Sequence, residues 1–307
     1  MRYEIDNTKS ITESVSQLKD GDTLFLKNGI YNEKVEIIGN NINIIGESEE
    51  KVIIRNKDWY SKIMPDYNEC NTFRTETVFI HGENIKISNL TIINLSTPSS
   101  KYGQALALYA DANNLLAKNI TLKSEQDTLF TGPLPKDLLI RHEGFLNKNK
   151  LSGKKNKQIY DNCTIIGNVD FVFGSAYALF INSKIIDIER SKENYICAPS
   201  HDKDDKFGFL FYKCDIIHQG NIKMTYLARP WRDYGQAAFI LCNMNDHIVD
   251  IGYDRWTNSQ RDKTARFYEY TENIDTSKRA KWAHILNKSD AEKYVKDYFE
   301  FIGYTKD

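Results

Sequence analysis

Five short segments in the middle of the chain share one pattern, and that pattern limits the folds open to it. SNLTI (88–92), KNITL (118–122), DNCTI (161–165), NSKII (182–186) and KCDII (213–217) each start polar and close on an aliphatic residue. With Asn89, Asn119, Asn162, Asn182 and Lys213 as markers, the separations are 30, 43, 20 and 31 residues. The values are uneven, but each fits one strand-rich unit, with extra loop in some. Repeats of a few tens of residues, β-rich and with Asn at the corners, predict a solenoid. One coil cannot bury its own apolar face, so coils stack and share a core. Leu90, Ile120, Cys163 and Cys214 should then be stacked, inward-facing and inert. A β-sandwich with chance similarity between strands is the alternative.

Both ends read as helical. Ser10 and Glu13 fit a capping box, and Ile11, Val15 and Leu18 line one face, which predicts a helix over about residues 11–19. Ser289 and Glu292 fit another box ahead of Val295, Phe299 and Ile302. Terminal helices favour the solenoid, whose end coils need covering. Asn89, Asn119 and Asn162 also spell N-x-T sequons, but they fall inside predicted strands and read as repeat chemistry. Cys70, Cys163, Cys197, Cys214 and Cys242 are scattered and odd in number, without C-x-x-C spacing. That favours buried free thiols over a disulfide framework or a zinc site.

A net charge of −1 gives no global attraction to nucleic acid or a membrane surface, and no apolar run reaches the length of a membrane span. The start, MRYEIDNTKS, lacks the basic-then-apolar pattern of a signal peptide, so the expectation is a cytoplasmic protein, or a secreted one whose leader has been removed. No linker divides the 307 residues, so we expect one catalytic domain, acting as a monomer. The most loop-like segment is 131–158, where Arg141, Lys148, Lys150, Lys154 and Lys155 fall between Lys136 and Lys157. It reads as a solvated loop, or as a basic flap over an anionic ligand.

Two carboxylates stand in neutral or apolar strands: Asp127 in SEQDTLF and Asp170 in GNVDFVFG. They are 43 residues apart, about one enlarged coil, so stacking could bring them face to face across adjacent rungs. Adjacent carboxylates split their pKa values, one ionised and one holding a proton, as a nucleophile with a general acid requires. Spacing alone equally allows each to cap a turn. Arg229, in TYLARPWRDYG, could orient a carboxylate through paired hydrogen bonds, with Arg232 the alternative partner and Trp231 a platform for a sugar ring. Gln104 and Gln126 are amide donors of the kind that stabilise a developing oxyanion. There is no G-x-S-x-G elbow, P-loop or H-E-x-x-H motif, and the six histidines are scattered.

Together these segments resemble the pectin methylesterases (pectinesterases). The matching stretches are YGQALAL (102–108), SEQDTLF (124–130), GNVDFVFG (167–174) and YLARPW (226–231), in the family's order. Weaker similarity covers 21–37, 265–270 and 279–286. The resemblance implies an all-β fold, a single-stranded right-handed parallel β-helix with a cleft along its side. It implies hydrolysis of the C6 methyl esters of galacturonate in pectin or oligogalacturonides, with no metal or other cofactor. Carried over, Asp170 would be the nucleophile, Asp127 the general acid/base, Gln126 the oxyanion donor and Arg229 the residue that orients Asp170. Gln104, Trp231, Phe171 and, loosely, Thr75 would contact substrate. IGYDRW (251–256) replaces a Gly-Trp pair of the family, which suggests Tyr253 as a sugar-stacking ring. The long 131–158 insertion is expected to narrow the cleft and favour short, anionic oligomers. A pectin acetyl esterase, a pectin lyase and a non-catalytic polysaccharide-binding β-helix are the alternatives.

Overall fold

The computed structural model describes residues 1–66, 69–141, 155–221, 224–244 and 246–305. The chain winds as a parallel β-helix in which strands pair with their counterparts one coil on, Leu90 beside Ile120 and Phe180 beside Phe211. One face is a seven-stranded sheet in simple sequence order: Val35–Asn40, Val78–Glu83, Leu108–Asn113, Leu129–Thr131, Val169–Gly174, Asn194–Pro199 and Thr225–Ala228. The other strands join in a 17-stranded sheet that wraps the remaining sides.

The five marker residues of the repeat are its corners. Asn89, Asn119, Asn162, Asn182 and Lys213 all take left-handed backbone, with φ of 56°, 52°, 52°, 51° and 53°. An ordinary side chain is strained there by roughly 1–2 kcal/mol, whereas Asn adopts it readily. The Asn119 amide donates to Asn89 Oδ1 at 3.1 Å and the Asn162 amide to Asn119 Oδ1 at 2.8 Å, a ladder along the stack. A second ladder of the same kind links Asn41, Asn84 and Asn114. Repeat chemistry therefore accounts for these asparagines.

Inside, Leu90, Ile120, Cys163 and Cys214 are buried as expected, and all five cysteines are buried free thiols. Tyr160, Phe180, Phe211 and Phe239 stack ring on ring at 4.9, 4.6 and 4.6 Å, close to the inter-strand spacing that sets them over one another.

The terminal helices differ from expectation. The first spans only Ile11–Val15, capped by Ser10 Oγ accepting from the Glu13 N–H. Leu18 reaches the core through tighter turns, its N–H bonding to Val15 O, so the apolar spacing outlasts the helix. The last helix, Lys288–Ile302, is capped by Asn287 rather than Ser289, Asn287 Oδ1 accepting from the Asp290 N–H at 2.9 Å. It covers a flank, not the end. Ala291, Val295, Tyr298 and Ile302 pack on Leu179, Ile181, Leu210 and Ile240, which alternate with the inward Phe180, Phe211 and Phe239. The last coil is closed instead by Trp282 against Tyr253 and Phe267, with Arg279 paired to the buried Glu269. Among the described residues no helix is long and apolar enough to cross a membrane.

Candidate active site

Asp127 and Asp170 lie on adjacent rungs of the seven-stranded face. Gln126 bridges to Val169, and the Asp127 N–H donates to Val169 O at 3.0 Å. Both aspartates hold left-handed backbone, with φ of 65° and 48°. Such strain persists where surrounding structure enforces it, commonly at functional sites. At Asp170 the enforcing feature is a bulge: the register with the 194–199 strand shifts between Val169 and Val172. A bulge re-aims one side chain. Here Asp170 turns out into a cleft while Phe171 turns into the core, fully buried. Gly167 permits this, because a Cβ there would lie 2.3 Å from Phe171 Cβ. A carboxylate can thus sit in an apolar strand without entering the core.

Arg229 meets Asp170 as a fork, Nε to Oδ1 at 2.8 Å and Nη2 to Oδ2 at 2.6 Å. Its guanidinium is sandwiched between the rings of Tyr195 at 3.8 Å and Trp256 at 4.2 Å. Burial raises the pKa of Asp170, and the charge and hydrogen bonds of Arg229 oppose the rise. Asp127 is pushed well above the usual carboxylate range, first by burial and then by the Asp170 charge, with Arg229 opposing only through space. Among the described residues no hydrogen bond or ion pair holds the Asp127 carboxylate. Of the two, Asp170 keeps its charge more readily and Asp127 holds a proton more readily.

Around the pair runs a cleft of roughly 750 Å³. Gln104 and Gln126 line it from successive rungs, joined where the Ala105 N–H bonds to Gln126 O. Phe73, Phe173 and Trp231 form an aromatic wall, with Trp231 centred 5.5 Å from Phe173. The cleft therefore gathers Asp127, Asp170, Gln104, Gln126, Arg229 and Trp231.

Three expected substrate contacts lie elsewhere. Phe171 is in the core for the reason given, and Phe173, two residues on, takes its place in the cleft. Thr75 is fully buried: it ends the 3-10 turn Thr72–Arg74, its hydroxyl donating to Thr72 O and accepting from the Leu106 N–H. Thr72, a turn earlier, lines the cleft. Tyr253 is buried with its hydroxyl on Glu269, and Trp256 supplies the aromatic from that segment. Arg232 pairs not with Asp170 but with Asp137, at 2.7 Å. Of the basic insertion, residues 142–154, with Lys148, Lys150 and Lys154, lie outside the described residues. Lys155 pairs with Asp205 at 2.8 Å and Lys157 packs over Phe301 of the last helix, so neither faces the cleft. The helix Lys136–Arg141 does, through Asp137, Leu138 and Arg141.

This arrangement suits acyl transfer: one carboxylate held by a cation, a second, more strongly raised one beside it, amide donors nearby and an aromatic wall. Three comparisons bear on it. The family model described as pectinesterase matches residues 3–134 and 141–303. Pectinesterase 31 of Arabidopsis thaliana is 26% identical over 94% of this chain and 87% of its own length. Pectinesterase 2 of Citrus sinensis is 25% identical over 91% of this chain and 52% of its own. The chain spans about half the length of other curated relatives it matches, 43%, 50% and 42% for three longer Arabidopsis thaliana proteins. A solved pectin methylesterase in complex with hexasaccharide VII superposes with a TM-score of 0.77 at 24% identity, over 97% of this chain and 94% of that one. The carrot pectin methylesterase gives 0.77 at 20% identity, over 99% and 96%. At such identities these structures establish a shared fold.

Proposed function

The chain belongs to the pectinesterase family, and from that premise we propose that it hydrolyses the C6 methyl esters of galacturonate in pectin or oligogalacturonides, releasing methanol, with residues 1–307 acting as one catalytic unit. The observation that carries the reading is the split carboxylate pair, Asp170 forked by Arg229 and Asp127 unpaired one rung away.

Asp170 attacks the ester carbonyl. Its lone pair forms the new C–O bond, and the carbonyl electrons move to oxygen, giving a tetrahedral oxyanion. Gln126, with Gln104 beside it, donates amide N–H groups to that oxygen; such a donor is worth about 10²–10³ in kcat. Collapse of the intermediate breaks the bond to the methoxy group, and Asp127 delivers its proton there, so methanol leaves neutral. An acyl-enzyme anhydride on Asp170 remains. Asp127, now ionised, takes a proton from water, and the hydroxide so formed attacks the galacturonyl carbonyl. The electrons of the cleaved C–O bond return to Asp170, and Arg229 steadies the carboxylate as it re-forms. The free C6 carboxyl is the product. Trp231 offers a stacking face to a sugar ring.

The test is methanol release from methyl-esterified oligogalacturonates and from pectin, in the presence of EDTA, by wild type and Asp170→Asn. Release by wild type alone supports both the esterase and its nucleophile. No release by a well-folded wild type sinks the reading.

A further inference from the structure

The family model matches residues 3–134 and resumes at 141, so residues 135–140 fall outside the match. Those residues carry an acidic group into the cleft. The helix Lys136–Arg141 is seated by Leu138, which is buried in the aromatic cluster of Phe73, Phe130 and Phe173. From it Asp137 reaches across to Arg232, Oδ2 to Nη2 at 2.7 Å and Oδ1 to Nε at 3.3 Å. The Arg232 guanidinium lies 4.6 Å above the ring of Trp231. A uronate stacked on Trp231 would find in Arg232 the cation placed to take its carboxylate, but Asp137 already holds that fork. Two other arginines lining the cleft are similarly matched, Arg229 to Asp170 and Arg261 to Asp233, while Arg141 lines it from the end of the same helix.

We propose that Asp137 is a specificity-determining residue: as an internal counter-ion to Arg232, it makes the cleft beside Trp231 accept an uncharged, methyl-esterified uronate and disfavour a de-esterified one. This rests on the pectinesterase reading. A free carboxylate entering there must displace Asp137 or lie beside it with like charge. The pair is half open to solvent, with side-chain exposures of 27% for Arg232 and 51% for Asp137. It is therefore a weak device for holding the fold, yet it sets the local charge. Selection would fall on methylation pattern, and the anionic preference expected of a basic flap is reversed at this position.

The experiment compares kcat/KM for a fully methyl-esterified hexagalacturonate with that for one partly de-esterified by alkali, in wild type, Asp137→Asn and Leu138→Ala. Wild type should prefer the fully esterified substrate. Asp137→Asn should raise the partly-to-fully-esterified ratio by up to about fivefold, the range an exposed charge pair commands, and the gain should shrink at high salt. An unchanged ratio overturns the proposal. So does an equal, salt-independent shift in Leu138→Ala, because the helix position rather than the Asp137 charge would then decide. Absence of methanol from either substrate with wild type would instead sink the esterase reading itself.

Discussion

Arg229 holds both oxygens of Asp170, at 2.8 and 2.6 Å, and is itself clamped between Tyr195 and Trp256. The aromatic sandwich fixes the plane of the fork, and the fork fixes the carboxylate. Lysine supplies charge without that geometry. Arg229→Lys should therefore retain most of the fold but lower kcat by about 10²-fold, the scale of a lost positioning contact. Arg229→Gln leaves Asp170 buried without its counter-ion, and unpaired buried charges destabilise by about 3–5 kcal/mol. Steady-state kinetics with chemical denaturation of the two variants checks both. A wild-type kcat in either shows that Arg229 is structural only.

The carboxylate pair also sets a pH dependence with a definite sign. On the proposed mechanism turnover requires Asp170 ionised and Asp127 protonated, so kcat/KM should be bell-shaped, falling on the acid side as Asp170 gains a proton and on the alkaline side as Asp127 loses one. Both groups have folded-state pKa values raised above the ordinary aspartate value of 3.8. Their contribution to stability is therefore complete below that value and is lost as pH rises through the folded values. Asp127→Asn removes one such loss. The variant should be catalytically crippled yet gain Tm relative to wild type as pH is raised from 3 toward neutrality. Parallel Tm curves for the two proteins would show that Asp127 is not perturbed.

Trp256 and Trp231 both line the cleft but act on different partners. Trp256 faces Arg229, whereas Trp231 packs on Phe173 and Phe73 with the Arg232 guanidinium over its ring. Truncating Trp256 to Ala removes one side of the Arg229 clamp. A desolvated cation–π contact is worth about 2 kcal/mol, so kcat should fall roughly 10- to 30-fold with little change in KM. Trp231→Ala should do the reverse, raising KM while sparing kcat. Identical splits for the two would overturn the division of roles.

How much of this was legible in the sequence depended on whether a signal was local. Asn89, Asn119 and Asn162 announce their corners because left-handed backbone selects Asn whatever the surroundings. Asp170 announces itself because a charge in an apolar strand needs a reason. Phe171 came from the family resemblance; the strand's own alternation already turns it inward beside an outward Asp170, and the bulge that then brings Phe173 to the cleft has no mark in the sequence. Thr75 failed for a similar reason: its hydroxyl closes a turn that only the folded backbone defines. The spacing of Val295 and Ile302 predicts an apolar face, but not that the face covers a flank of the coil rather than its end. Asp137 had no local signal, and the segment 251–256 pointed to Tyr253 rather than to Trp256. Folding brings Trp256 and Asp137 to Arg229 and Arg232 from 27 and 95 residues away.

The corner ladder makes the most direct test of what holds the coils in register. Asn119 takes φ of 52°, donates to Asn89 and accepts from Asn162. Asn119→Ala loses both amide bonds, each worth about 1 kcal/mol net, and puts in left-handed backbone a residue without the polar side chain that eases it, at roughly 1–2 kcal/mol. The expected loss is about 3–4 kcal/mol if the terms add. Asn119→Gly loses the same bonds but relieves the backbone strain, so it should be the milder change by about 1 kcal/mol even after its greater unfolded-state freedom is counted. Urea unfolding of the three proteins separates the two contributions. If Gly proves as damaging as Ala, the amide ladder carries the corner. If Gly matches wild type, only the backbone conformation matters and the ladder is incidental.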